Sequence, residues 1–139
     1  MAKILTKDQD IKQLLKTAKT IAVVGLSPDP ERPSYEVANY LQSKGYKIIP
    51  VRPGIKEILG EKAYASLTEI PEPVDIVDIF RKTEFIPKVI DEAIRIKTKA
   101  VWMQLGLSHP QAAQKAVSAG LSAIENRCIL IEHKRLLSK

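Results

Sequence analysis

The feature that most constrains the fold is an uninterrupted apolar run, Ile21 to Val24, which ends at Gly25. Successive side chains of a strand point to opposite faces, so a run without polar residues is typical of a strand covered on both faces. A polar, proline-rich loop follows, and then Val37, Ala38 and Leu41 recur at helical spacing. The order strand, loop, helix predicts a βαβ protein built on a buried parallel sheet.

The same alternation continues along the chain. Strands are predicted over residues 21–24, 46–51, 74–80, 100–103 and 122–124. Helices are predicted over residues 8–18, from Ser34 to Gly45, from Thr83 through Ile96, from Ser108 to Gly120 and from about Arg127 to Leu137. This order predicts an α/β, Rossmann-like, doubly wound parallel sheet of about five strands in the order 3-2-1-4-5, with helices on both faces. We predict one domain over residues 1–139, with an N-terminal helix (1–18) packed on it.

Composition narrows the function classes. The chain has 139 residues, and no apolar stretch approaches the roughly 20 residues that a membrane-spanning helix needs. A single cysteine cannot form an internal disulfide, which predicts a cytoplasmic location. The net charge of +6 favours an anionic partner. Because the cations are scattered with few aromatic residues between them, we predict a phosphate-bearing small molecule, and neither nucleic acid nor a membrane.

Ligands of doubly wound sheets bind beyond the carboxyl ends of the strands. In this chain those ends are Gly25 to Ser27, Val51 to Pro53, Phe80 and Arg81, and Gln104 to Gly106. The helix expected to open at Ser34 offers backbone N–H groups and the positive end of its dipole. Arg32, just before it, is suited to a bidentate phosphate contact. We predict a pyrophosphate at this position.

Two departures from the dinucleotide fingerprint change the expected ligand. The fingerprint has three glycines, whereas this loop has Gly25 followed by three prolines. An NAD site carries an acidic residue at the end of the second strand, where this chain has Arg52. A cation there predicts a ribose with an extra phosphate, as in NADP or coenzyme A, and disfavours NAD. The alternative is that Gly25 is only a tight turn and Arg52 only a solvated surface charge.

Five segments carry a resemblance to a known family: VVGLSPDPERPSYEVANYL, VRP, VDIVDIFR, VWMQLG and ENRCILIEH. They are similar to the small stand-alone CoA-binding proteins, which are related to the CoA-binding domain of the succinyl-CoA synthetase α subunit and of ADP-forming acyl-CoA synthetases. The similarity runs from about Thr20 to Leu136. Its most specific parts are the S-x-x-x-x-R-x-S spacing of the loop and the NRC segment.

The resemblance implies coenzyme A as the ligand and a contact for each matching position. Along the pyrophosphate would lie Gly25, Leu26, Ser27, Arg32 and Ser34. The adenosine would be bordered by Val51, Arg52 and Pro53, with Arg52 at its 3′-phosphate. The pantetheine arm would pass Phe80 and Arg81, and its far end would reach Gln104 to Gly106.

Candidates for catalysis are weak. The related synthetases use a phosphorylated histidine in a second domain, and neither His109, a candidate cap, nor His133, expected to be exposed, resembles it. Cys128 is expected to be a small buried residue at a helix start, although a mixed disulfide with CoA is a hypothesis. Asp78 is expected to pair with Arg81 or a backbone group, and the cysteine and histidine spacing supports no metal site.

These observations predict a non-catalytic module that binds CoA or an acyl-CoA. The alternatives are an NADP-dependent reductase and an accessory subunit of an acyl-CoA synthetase. A homo-oligomer or a complex with a synthetase-like partner subunit is compatible with either.

Overall fold

The computed structural model describes residues 2–137. Its strands are β1 (Thr20–Val24), β2 (Lys47–Val51), β3 (Glu57–Ile58), β4 (Glu61–Lys62), β5 (Ile76–Ile79), β6 (Ala100–Met103) and β7 (Ser122–Ile124). Its α-helices are α1 (Asp8–Thr17), α2 (Pro33–Ser43), α3 (Ile86–Arg95), α4 (Pro110–Ser118) and α5 (Ile129–Leu137). Short 3₁₀ turns span Leu67–Glu69 and Thr83–Phe85.

Within this part of the chain, five strands form one parallel sheet in the order β2-β1-β5-β6-β7. The strand that the apolar run predicts, β1, lies between β2 and β5, and every one of its residues from Ile21 to Val24 is buried. The α/β, Rossmann-like, doubly wound class is therefore confirmed.

The predicted order 3-2-1-4-5 needs one correction. The third predicted strand, β5, pairs with β1 and not with β2, so the five predicted strands run 2-1-3-4-5. The position beyond β2 is held by Tyr64, which forms a single parallel bridge with Val51. Its amide donates to the Pro50 carbonyl at 3.0 Å, and its carbonyl accepts from Arg52 at 2.8 Å. A one-residue bridge has no apolar periodicity, so the sequence pattern does not reveal that this position is already taken.

Helices cover both faces of the sheet. Apolar residues of α1, α2 and α5 pack with one set of alternate strand residues, which includes Ile21, Val23 and Trp102. Apolar residues of α3 and α4 pack with the other set, which includes Val24 and Ile79. The alternation of side chains along each strand thus builds two separate cores. No helix within residues 2–137 is long and apolar enough to cross a membrane.

Three predicted helix starts differ from the structure. Pro33 opens α2, and Arg32 precedes it as the capping residue, so Ser34 is not the cap. His109 caps α4 by accepting from the Ala112 amide through Nδ1 at 3.1 Å, while the Ser108 hydroxyl donates instead to a carboxylate of the loop after β7. Thr83 begins a 3₁₀ turn, and α3 begins only after that turn, at Ile86.

Candidate functional site

The carboxyl edge of the sheet carries a cleft of about 480 Å³. The loops after β1, β2 and β5 and the first turn of α2 form its walls. Seven predicted residues line it: Gly25, Ser27, Arg32, Ser34, Arg52, Phe80 and Arg81. Pro33, Lys82 and Phe85 also line it and were not predicted. A hollow of about 300 Å³ continues from Gly25 past Arg52, and the predicted residues Val51 and Pro53 border it.

Gly25 holds three of these loops together. Its amide donates to the Val51 carbonyl at 2.9 Å, and the Phe80 amide donates to the Val24 carbonyl at 2.8 Å. Its φ of +86° lies in the left-handed region, and a Cβ added there would lie 2.3 Å from the Phe80 carbonyl oxygen. Only glycine allows this approach. The single glycine of the loop is therefore needed for backbone packing, whatever it does for a ligand.

The loop after β1 is organised by its own side chains. The Ser34 hydroxyl accepts from the Ser27 amide at 2.9 Å, and the Ser27 hydroxyl accepts from the Asp29 amide at 3.1 Å. The Asp29 carboxylate in turn accepts from the Glu31 amide at 3.0 Å. Fewer backbone donors are therefore free than the sequence predicts.

The first turn of α2 also offers few donors. Pro33 has no N–H group, and the Tyr35 and Glu36 amides both donate to the Arg32 carbonyl. The Ser34 amide is left as the donor of this turn. The positive end of the helix dipole still faces the cleft.

Cations dominate the electrostatics of the cleft. Arg32, Arg52, Arg81 and Lys82 all line it, and no carboxylate does among residues 2–137. The Arg52 guanidinium is 3.4 Å from the Leu26 carbonyl oxygen, and that of Arg81 lies 4.3 Å from the centre of the Phe85 ring. Neither contact neutralises the charge, so the cleft is built to attract an anion.

Three predicted residues are placed differently from the others. The Leu26 side chain is fully buried among apolar residues, so only its backbone is near the cleft. The Gly106 amide donates to Asn126 Oδ1 at 2.7 Å, and Gly106 does not border the cleft. Gln104 is buried, and its Oε1 accepts from the Ile129 amide at 3.1 Å, so this side chain caps α5.

A second recess of about 490 Å³ adjoins the cleft and shares Pro33, Phe80, Arg81 and Lys82 with it. Gln104 lines this recess, and its remaining lining is apolar: Val37, Leu105, Leu107, Cys128 and Ile131. The sequence pattern does not reveal this recess, because its residues come from four segments that are distant along the chain. The available signal was the pair of leucines in the loop after the fourth predicted strand, where a loop would be polar.

Asp78 lies on β5, near the cleft-lining residue Phe80 in sequence. It precedes Phe80 by two residues and lies on the same face of the sheet. Its neighbours in register are Val23 and Trp102, and it is fully buried. Its carboxyl oxygens have no hydrogen-bond partner between residues 2 and 137, so the predicted pairing with Arg81 or a backbone group is wrong. Burial raises the pKa of this carboxyl well above its usual value.

The remaining candidates have structural contacts. His133 is buried, contrary to prediction, and its Nδ1 lies 2.8 Å from the Tyr40 hydroxyl. Burial, with a smaller effect of Lys44, lowers the pKa of His133. Cys128 is partly buried at the start of α5. No group of three or more His, Cys, Asp or Glu side chains in the described part of the chain is arranged to hold a metal ion.

Comparisons with known proteins point to one family. A family model described as a CoA binding domain matches residues 19–134. The Bacillus subtilis (strain 168) protein YneT is 44% identical over 124 residues, which are 89% of this chain and 92% of that protein. A hypothetical protein from Pyrococcus horikoshii OT3 superimposes with a TM-score of 0.92 at 41% identity, over 95% of this chain and 93% of that one.

A longer enzyme subunit is also similar. The Pyrococcus furiosus acetate–CoA ligase (ADP-forming) II subunit alpha is 40% identical over 73 residues, which are 52% of this chain. The matched segment is only 16% of that subunit. This likeness therefore concerns one part of the ligase.

Proposed function

Because the chain belongs to the CoA-binding domain family, we propose that it binds coenzyme A or an acyl-CoA in the cleft, as a binding module without catalysis of its own. The observation that carries the proposal is the convergence of Arg32, Arg52 and Arg81 from three separate loops in one cleft. A ligand with three phosphate groups is matched by such a set of cations.

The pyrophosphate lies against the loop after β1. Arg32 and the Ser34 amide are the cation and the backbone donor of the first turn of α2, where the helix dipole favours an anion. Gly25 leaves room for the approach because it carries no side chain. Leu26 and Ser27 contribute backbone atoms and, for Ser27, a hydroxyl.

The adenosine lies in the hollow bordered by Val51 and Pro53. Arg52 stands where an NAD site has an acidic residue, and it contacts the 3′-phosphate of the ribose. The same position suits the 2′-phosphate of NADP, which makes an NADP-dependent reductase the alternative that ligand titration must exclude.

The pantetheine arm passes Phe80 and Arg81 toward Gln104. Phe80 and Arg81 are common to the cleft and the apolar recess, so they lie where a long ligand passes from one to the other. Gly106, whose amide already donates to Asn126, marks the outer limit of this path.

Calorimetric titration with CoA, dephospho-CoA, NADP and NAD tests the proposal. We expect CoA to bind with micromolar affinity, dephospho-CoA to bind more weakly, and NAD to give no saturable heat. Arg32→Ala should weaken CoA and dephospho-CoA alike, whereas Arg95→Ala, an exposed arginine of α3 away from the cleft, should change neither. Tighter binding of NADP than of CoA, or no binding of any ligand, contradicts the proposal.

A second candidate function is that of an accessory subunit of an acyl-CoA synthetase in the cytoplasm. The likeness to the Pyrococcus furiosus ligase subunit favours it. Native mass spectrometry of the protein with the other subunit of such a ligase would show a complex if this candidate is correct. If the only masses observed are those of the protein alone or of its homo-oligomer, this candidate function is rejected.

A further inference from the structure

The apolar recess beside the cleft is not needed for the phosphates or the adenosine of CoA. It begins at the walls that it shares with the cleft, Phe80 and Arg81, and extends between the first turn of α2, the loop after β6 and the start of α5. Val37, Leu107 and Cys128 form apolar walls. The volume of the recess, about 490 Å³, is close to that of the cleft, about 480 Å³. The site thus consists of one cationic half and one apolar half.

The large apolar side chains that face water collect at these two halves. Among residues 2–137 they are Phe85, Leu105 and Ile131, exposed by 38%, 62% and 51%. Phe85 lines the cleft, and Leu105 and Ile131 line the recess. Exposed apolar surface is unfavourable, and its concentration at one place marks a surface that a ligand or a partner covers.

Gln104 adds a polar group with a defined direction. The Ile129 amide donates to the Gln104 side chain, so the side-chain atom that faces Ile129 is the acceptor Oε1. The other end of the amide, Nε2, is a donor, and Gln104 lines the recess.

We propose that the ligand of this site is an acyl-CoA thioester with a short apolar acyl group, which lies in the recess while the phosphates lie in the cleft. This inference rests on the proposed function and names the ligand class more closely. The thioester carbonyl accepts from Gln104, and the acyl chain covers Leu105 and Ile131. A ligand with three phosphates at one end and an apolar chain at the other matches both the charge and the continuity of the two halves.

Titration with acetyl-CoA, butyryl-CoA, 3-hydroxybutyryl-CoA and free CoA tests the inference. Butyryl-CoA carries two more methylene groups than acetyl-CoA, and their burial is expected to tighten binding by on the order of 10-fold. The hydroxyl of 3-hydroxybutyryl-CoA should cancel most of that gain, because the recess walls are apolar. Equal affinities for all four ligands overturn the inference and leave CoA binding intact, whereas no binding by any of them contradicts the proposed function as well.

Two variants at the rim make the test independent of folding. Leu105→Ser and Ile131→Ser change exposed side chains, and Lys134→Ser is the matched control on α5 outside the recess lining. We expect the first two to reduce the preference for butyryl-CoA over CoA several-fold, and the control to leave the affinities for both ligands unchanged. An unchanged preference overturns the inference. If the protein is a dimer that Ile131→Ser dissociates, and if butyryl-CoA and CoA bind equally well, the apolar surface is covered by a second copy of the chain. This result also overturns the inference.

Discussion

Two groups of arginines in this protein differ in where their counter-charges come from. The cleft arginines, Arg32, Arg52 and Arg81, form no salt bridge with any carboxylate of residues 2–137. The second group belongs to an ion-pair network between α1 and α5. There Arg127 Nη1 lies 2.6 Å from Glu132 Oε1, Arg135 Nε lies 3.0 Å from Glu132 Oε2, and Arg135 Nη2 lies 2.7 Å from Asp8 Oδ1.

The two groups have different consequences. In the α1–α5 network, hydrogen bonds from Arg135 are the main cause that lowers the pKa of both Asp8 and Glu132, so the charges stabilise the docking of α5 on α1. In the cleft, no carboxylate within residues 2–137 compensates the cations, so their charge is available to an anion. The paired arginines therefore contribute to folding, and we propose that the unpaired arginines near the strand ends contribute to binding.

Removal of the central carboxylate of the network should have the largest effect on stability. Glu132→Ala removes the buried partner that the partly exposed Arg127 and Arg135 share, and we expect the free energy of unfolding to fall by about 1.5–3 kcal/mol. Denaturant titration measures the loss, and CoA affinity of the folded fraction should be unchanged. A loss of affinity equal to the loss of stability would mean that the network also supports the site.

Asp78 is a third case, a buried carboxyl that has no counter-charge in the described part of the chain. Folding raises the pKa of the Asp78 carboxyl, so the folded chain holds this proton more tightly than the unfolded chain does. The resulting contribution to stability is complete below about pH 4, and it is lost as the pH rises toward the pKa of Asp78 in the folded chain. Asp78→Asn should remove this dependence. We expect the variant to gain stability over the parent by about 1.4 kcal/mol per pH unit across that interval. Parallel stability curves of the two proteins from pH 4 to pH 8 would show that Asp78 is not neutral in the fold.

Arg52→Ala tests the cleft side of the comparison. We expect CoA affinity to fall by about 1–3 kcal/mol through loss of a charge-assisted contact, with little change for dephospho-CoA, which lacks the 3′-phosphate. Thermal unfolding should change little, because Arg52 is not part of an ion pair among the described residues. Equal losses for the two ligands would show that Arg52 does not contact the 3′-phosphate.

The smallest effect is expected at the Tyr40–His133 contact, since neither residue lines the cleft or the recess. Tyr40→Phe removes the hydroxyl that bonds to His133 Nδ1 and should lower the free energy of unfolding by about 1 kcal/mol. CoA affinity should remain that of the parent protein. A change in affinity would contradict the separation between the stabilising and the binding regions.

Much of the fold follows from local pattern. Apolar runs and helical spacing predict each strand of the main sheet and each helix, since burial on one or two faces leaves a periodic record in the sequence. The strand order was not predictable in full, because Tyr64 occupies the position beside β2 with two hydrogen bonds and no pattern. Helix starts were displaced by one to three residues, since Ser34 and Ser108 use their hydroxyls in contacts between loops and not as caps.

The sequence could place the candidate site residues that follow the ends of strands, and it could place the other residues less well. Gly25 and Arg52 follow strand ends directly and Arg81 comes one residue further on, so the fold class alone brings them to one edge. The role of Gly25 in accommodating the Phe80 carbonyl depends on a neighbour 55 residues away, which no local pattern contains. The apolar recess combines α2, the loop after β6 and α5, and its members look like ordinary surface or core residues in the sequence.

The amino-acid sequence by itself determined the class of fold, the edge of the sheet at which we propose that a ligand binds, and the positive charge of that edge. It did so because strand burial, glycine at a strand end and charge are properties of single segments. The tertiary structure decided which cations are paired, that Asp78 is buried without a hydrogen-bond partner among residues 2–137, and that an apolar recess adjoins the cationic cleft. Pairing, burial and cavity shape depend on distances between segments far apart in the chain, and only the packed structure sets those distances.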